Sequence, residues 1–239
     1  MNKFRTIENI FRGPEHHMVG DGFRVSQYLP VGIGDIKRLS PFILLDYHAP
    51  HYYEPSSIRR GVGAHPHRGF ETVTISYEGS VEHHDNKGNH GIIGPGDVQW
   101  MTAASGILHK EYHEKEFSES GGILHMIQLW VNLPKSEKMS EPKYQTLLKE
   151  NMGAFKLDNN QGKVSIIAGE FNGIKGPAST FTNINIYNIN LKNYGKTILK
   201  EPGNFNTGIL VLKGEVKINE NHTCKETDFI IFDNIDGDI

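Results

Sequence analysis

Among the thirteen histidines of this 239-residue chain, two pairs are spaced for chemistry: His65 and His67 in GVGAHPHRGFETVTI, and His109 and Glu111 in SGILHKEYH. Side chains at i and i+2 of a β-strand leave the same face, so each pair can aim two donor atoms at one point. Three neutral imidazoles and one carboxylate suit divalent iron, manganese, nickel, copper or zinc better than calcium or magnesium. The absence of cysteine from the set argues against a structural zinc. Such donors leave positions open on an octahedral ion and leave it positively charged. An anionic oxygen ligand and dioxygen can then be held side by side, oriented to react. Pro66 stiffens the first pair but offers no N–H, which suits an edge strand rather than a central one.

The elements that must position these residues read as short apolar runs bounded by Gly, Pro, Asn or Asp, such as Thr72 to Tyr77, Ile123 to Val131, Val164 to Ala168 and Ile209 to Leu212. That punctuation predicts an all-β protein. Residues 133–152 differ, being rich in Lys and Glu, and predict a linker over 135–152 with a short helix near Tyr144 to Asn151. The expected organisation is a first domain over 1–134 and a second over 153–239. A repeat supports it: ISYEGSVEHHD, Ile75 to Asp85, is similar to LVLKGEVKINE, Leu210 to Glu220, and each copy runs on to an Asp followed by hydrophobics, at Asp97-Val98 and Asp228-Phe229. The offset of 135 between copies carries His65 and His67 onto Lys200 and Pro202, so the second domain is expected to lack a metal.

Charge and composition narrow the function classes. Lys plus Arg number 25 against 28 for Asp plus Glu, without a long basic run, which argues against direct nucleic-acid binding. The start MNKFRTIENIFRG has no apolar leader and no apolar run is long enough to span a bilayer, so neither export nor membrane insertion is expected. The lone Cys224 fits a reducing cytoplasm. Ser105 lacks a nucleophile-elbow frame, and the glycines of VGIGD and GVGAH make no phosphate loop. His83, His84, His90, His113 and His125 are read as hairpin or surface residues, Arg59 and Arg60 as a solvated turn, and Trp100, Met101, Phe70 and Phe42 as core. His125 and Gln128 have opposite strand parity, so both are left outside the site.

The run HPHRGFETVTISYEGSVEHHDNKGNHGIIGPGDVQWMTAASGILHKE resembles the N-terminal half of the pirin family of the cupin superfamily, and the resemblance extends through ILHMIQLWVNLP and back into SPFILLDYHAP. It implies an all-β bicupin, two double-stranded β-helix (jelly-roll) barrels, with iron, most often Fe(II), or another divalent metal in the first. The family's metal ligands fall on His65, His67, His109 and Glu111. The general cupin pattern competes, placing a carboxylate ligand at Glu71 and a final histidine where this chain has Gln99; the pirin pattern favours Glu111 and leaves Glu71 beside the ligands. Pirins continue past a segment resembling DFIIFDNIDGDI, so an open edge is expected in the second barrel, covered by a partner chain or by the N-terminal segment. The implied activity is that of a quercetin 2,3-dioxygenase acting on a flavonol-like aromatic substrate and dioxygen, with Glu111 as ligand and proton acceptor. The alternative is a metal-containing regulatory protein that binds a transcription factor or a metabolic enzyme without turnover.

Overall fold

The computed structural model describes residues 4–31, 33–219 and 221–239; Gly32 and Glu220, the last residue of the second repeat copy, lie outside the described residues. The first half runs β1 (Ile7–Phe11), β2 (His17–Val19), β3 (Phe23–Leu29), β4 (Phe42–Tyr53), β5 (Gly61–His67), β6 (Phe70–Glu78), β7 (Val81–Asp85), β8 (His90–Ile93), β9 (Val98–Thr102), β10 (Ile107–His113), helix α1 (Lys115–Ser120), β11 (Gly122–Asn132) and β12 (Lys143–Leu147). The second half adds β13 (Gly153–Lys156), β14 (Gly162–Ala168), β15 (Glu170–Phe171), β16 (Ile174–Lys175), β17 (Ile186–Leu191), β18 (Thr207–Leu210), β19 (Glu215–Ile218), β20 (His222–Lys225) and β21 (Phe229–Phe232). Among the described residues, no helix is long and apolar enough to cross a membrane.

Seven strands in the order β12-β9-β6-β11-β4-β3-β2 form one sheet, and β5-β10-β7-β8 form a second. Phe23, Val25, Tyr53, Leu124 and Met126 of the first pack with Val81 and Ile93 of the second, so the sheets face each other across a shared core. Alternation decides what points into that space. On β10, Ile107, His109, Glu111 and His113 are buried while Leu108 and Lys110 are exposed, the period of two expected of a strand with one wet face. The opposite face of the large sheet is also covered: Val73, Ile75, Trp100, Ile127 and Leu129 share a cluster with Ile167, Ala168, Ile184, Phe229 and Ile231 of the second half. Apolar contact between the halves thus holds the back of the sheet whose front helps enclose the candidate site. The sheets face one another without closing into continuous barrels, and the architecture is the expected pair of jelly-rolls.

The repeat is visible in the backbone. Gly79 (φ +77°) and Gly214 (φ +79°) occupy matching turns in a left-handed region that a side chain would resist. Ser76 N–H donates to the Asp97 carbonyl at 3.1 Å, as Val211 does to Asp228 at 3.0 Å, and Gly96 returns a bond to Ser76 at 2.8 Å, as Thr227 does to Val211 at 2.8 Å. Asp97 accepts from Gly94 N–H at 3.0 Å and Asp228 from Lys225 N–H at 2.8 Å, each carboxylate closing the turn before its strand.

The helix expected near Tyr144 to Asn151 does not form. Residues 143–147 are strand β12, paired with β9 from Lys143↔Thr102 to Leu147↔Val98, and only a 3-10 turn, Lys149–Asn151, follows. A row of unpaired backbone groups on β9, with Met101, Ala103 and Ile107 forming a patch for Tyr144, outweighs the helix preference of a Lys- and Glu-rich segment. The exposed edge anticipated in the second half is covered by the N-terminal segment: β1 pairs with β21, Ile7↔Phe232 through Phe11↔Phe229. Just before β1, buried Arg5 donates to the carbonyls of Phe205 (3.1 Å), Glu201 (2.7 Å) and Pro202 (2.5 Å) and to Thr207 Oγ1 (3.0 Å).

Candidate metal centre

Among the described residues β5 is the edge strand of its sheet, paired with β10 alone, where the missing N–H of Pro66 costs least. His65 lies directly opposite His109 and His67 opposite Ile107. The register then slips between His109 and Glu111, which faces Val62, so β5 carries an extra residue beside the site. Ring centroids stand 4.4 Å apart for His65 and His109, 4.7 Å for His67 and His109, and 4.8 Å for His65 and His67. One nitrogen from each ring can be chosen so that all three lie within 4.8 Å of one another.

The electrostatics suit ligands rather than charged side chains. Burial, then the neighbouring imidazoles, lowers the pKa of His67 to about 3; burial, then His65, lowers that of His109 to about 3. Both rings are therefore neutral at neutral pH, the form that offers a lone pair to a metal. His65 Nδ1 lies 2.8 Å from the Gly63 carbonyl, a bond that fixes the tautomer and leaves Nε2 as donor. Both nitrogens of His109 are buried without a hydrogen-bond partner among the described residues. An unpaired buried imidazole is costly, and a metal ion among the three rings removes that cost, so the residues fit the group the spacing suggests.

Glu111 is buried on the same inward face of β10 but falls outside the 4.8 Å set. Gln128 Nε2 on β11 lies 3.4 Å from each of its carboxylate oxygens and 3.5 Å from Thr74 Oγ1. Burial raises the Glu111 pKa, with His65 and Gln128 opposing. Glu71 points the other way: it shares the parity of Val73 and Ile75, accepts from Thr102 Oγ1 at 2.7 Å, and belongs to no cluster of potential ligands among the described residues. It is not a neighbour of the three imidazoles. Gln99, directly opposite Thr74, is on the inward face with its Nε2 buried and unpartnered among the described residues.

Several residues set aside on sequence grounds belong to the surroundings of this site. Gln128 is one, and its parity with His125 works as expected: Gln128 faces inward, while His125 faces Tyr47 and Tyr77 on the opposite side. His83, His113 and His125 are buried rather than exposed. His83, opposite Glu111 on β7, stacks on Tyr144 of β12 with ring centroids 5.6 Å apart and planes 7° from parallel. Gly91 leaves the space for that ring, since a Cβ there would meet His83 Nε2 at 2.7 Å. Phe70 is half-buried and stacks on Trp130 at 4.5 Å, and His67 meets both edge-on at 5.2 Å. Trp100 and Met101 are core, as expected.

Paired jelly-rolls with three imidazoles converging from adjacent strands of the first define a cupin with a candidate metal centre. The chain belongs to the pirin family. The family's sequence profile, Pirin, matches residues 22–131. A Pseudomonas aeruginosa protein provisionally named a quercetin 2,3-dioxygenase is 46% identical over 219 residues, covering 90% of this chain and 75% of that protein. Rat pirin is 38% identical, covering 83% of this chain and 64% of its own length. A crystal structure described as quercetin 2,3-dioxygenase from Acinetobacter baumannii superposes with a TM-score of 0.94 at 40% identity, over 98% of this chain and 81% of that one. The chain spans 58% of Arabidopsis Pirin-1, so for such relatives it corresponds to little more than half the protein.

Proposed function

We propose that the protein is a metal-dependent dioxygenase of the quercetin 2,3-dioxygenase type, with His65, His67, His109 and Glu111 holding one divalent ion, Fe(II) first among the candidates. The observation that carries this reading is the His109 ring, buried with both nitrogens unpartnered between two other imidazoles. The names of the Pseudomonas and Acinetobacter relatives support the reaction class. A divalent ion bound there supplies Lewis acidity and redox capacity for the reaction of a flavonol with dioxygen.

The chain's own residues supply the rest. Glu111 accepts the proton of the flavonol 3-hydroxyl at a carboxylate oxygen. Gln128 holds that carboxylate in place from the facing sheet. The stacked Phe70 and Trp130 beside His67 offer an aromatic surface to a flat, polyphenolic ring system. The neutral imidazoles leave the site cationic once loaded, which favours an oxyanion over a neutral phenol. The buried Cys224 is consistent with work in a reducing cytoplasm.

The test is oxygen uptake by Fe(II)-loaded protein with quercetin, matched to ring-opened product. A flavone without the 3-hydroxyl should give no uptake, because it has no proton for Glu111 and no oxyanion to bind. Turnover by wild-type protein no greater than that of Glu111→Ala would refute the enzyme reading and favour the regulatory one.

A further inference from the structure

The i, i+2 logic that pairs ligands on the inward face of β10 also applies to the outward face of β7. Glu82 and His84 alternate with buried Val81 and His83, and His84 faces His90 across the β7–β8 ladder. His84 Nε2 donates to Glu82 Oε1 at 2.7 Å and His90 Nε2 donates to the same oxygen at 3.1 Å, with the two rings 4.5 Å apart. Three donor atoms on two adjacent strands thus lie within 4.8 Å of one another. The other carboxylate oxygen is held by Arg59, whose guanidinium sits 5.8 Å from the Tyr112 ring. That contact turns Oε1 toward the imidazoles.

We propose that Glu82, His84 and His90 form a second divalent-metal site, independent of the one inside the jelly-roll, for an ion of the zinc, copper, nickel or cobalt class. Two imidazoles and one carboxylate are the donors that class prefers, and three protein ligands leave room for water or a small anion. Bonds of about 2.0–2.2 Å set tetrahedral donors roughly 3.3 Å apart. The observed 2.7 and 3.1 Å therefore need only a slight opening as shared protons give way to an ion and both rings become Nδ1–H tautomers. Access is not a barrier: His90 is half exposed, and a groove of about 460 Å³ runs against Glu82 and His90, with Arg59 and Lys115 on its wall. The site uses only side chains on the outward face of the β7–β8 hairpin, so its loss should leave the interior ligands untouched.

The experiment is a Zn²⁺ titration of the full chain by equilibrium dialysis and calorimetry, comparing wild type with His84→Ala/His90→Ala, Glu82→Gln and His65→Ala/His67→Ala. Two equivalents are expected for wild type. The weaker should disappear in His84→Ala/His90→Ala and lose at least tenfold in affinity in Glu82→Gln, with an unchanged melting profile. His65→Ala/His67→Ala should keep only the weaker one. A single wild-type equivalent that survives His84→Ala/His90→Ala overturns the proposal, as does a second equivalent that survives it. A single equivalent abolished by that double variant would retain this site and sink the interior assignment instead, so the two readings fail separately.

Discussion

Asp46 is a buried carboxylate that works against stability, and replacing it with asparagine should strengthen the fold at neutral pH. It lies on β4 directly opposite Gln128, on the inward face, with Oδ1 buried and without a partner among the described residues. Burial raises its pKa from 3.8 to about 6, with Gln27 and His17 opposing. At 1.36 kcal/mol per pKa unit, a rise of about two units costs the ionised protein about 3 kcal/mol relative to the unfolded chain. The sign follows from proton binding. Between pH 4 and 6 the folded protein keeps a proton that the unfolded chain has released, so this group's contribution falls as pH rises and is level again above about 6. Asp46→Asn keeps the shape and removes the titration. Urea unfolding of metal-free protein at half-unit steps from pH 4 to 7.5 should show the variant close to wild type at the acid end. It should be more stable by about 1–3 kcal/mol at pH 7. A variant less stable than wild type at pH 7, or a difference flat with pH, would refute the reasoning.

Three further outcomes follow from the geometry. Glu111→Gln should weaken metal binding at the interior site by at least tenfold while Glu71→Gln leaves it unchanged, as read by competition with a chelator, since only Glu111 stands on the face of the three imidazoles. Arg5→Ala should cost about 2–4 kcal/mol in urea unfolding through the loss of four buried charge-assisted hydrogen bonds, and a cost below about 1 kcal/mol would mean the clamp on residues 201–207 is redundant. Phe70→Leu should raise KM for quercetin about two- to tenfold with little change in kcat, the worth of one aromatic stack; an unchanged KM would remove the Phe70–Trp130 pair from the substrate surface.

Much of the site's first circle was legible because it depends on a local rule. His65, His67 and His109 meet because i, i+2 pairs share a face and because β5 and β10 are neighbours, which a hairpin-rich sequence makes plausible. What escaped depends on contacts between sheets. Parity separated Gln128 from His125 but could not say which of the two faces Glu111, because that is set by which side of β11 the other sheet covers. Histidine burial was misjudged at His83, His113 and His125 for a related reason. An imidazole is at home in water or against an aromatic ring, and only the structure supplies Tyr144 for His83 or Tyr53 for His113. The 143–147 strand was missed because its order comes from the vacant edge of β9, a feature some forty residues away in sequence. The duplication survived the passage from letters to coordinates because its marks are backbone ones: two glycines with positive φ and two aspartates that close turns.

The pairing of β1 with β21 has a consequence for how the chain is made. Strand β1 leaves the ribosome long before its partner, Phe229–Phe232, has been made. At 5–20 residues per second, roughly 220 residues of synthesis keep Ile7–Phe11 waiting for some ten to forty seconds. During that time the large sheet around the candidate metal centre can assemble from contacts already present. The second half must wait for its first strand to come back. A nascent chain therefore passes through a stage in which metal could be captured before the fold is sealed, and any crowding at β1 would be felt in the half that carries none of the interior ligands.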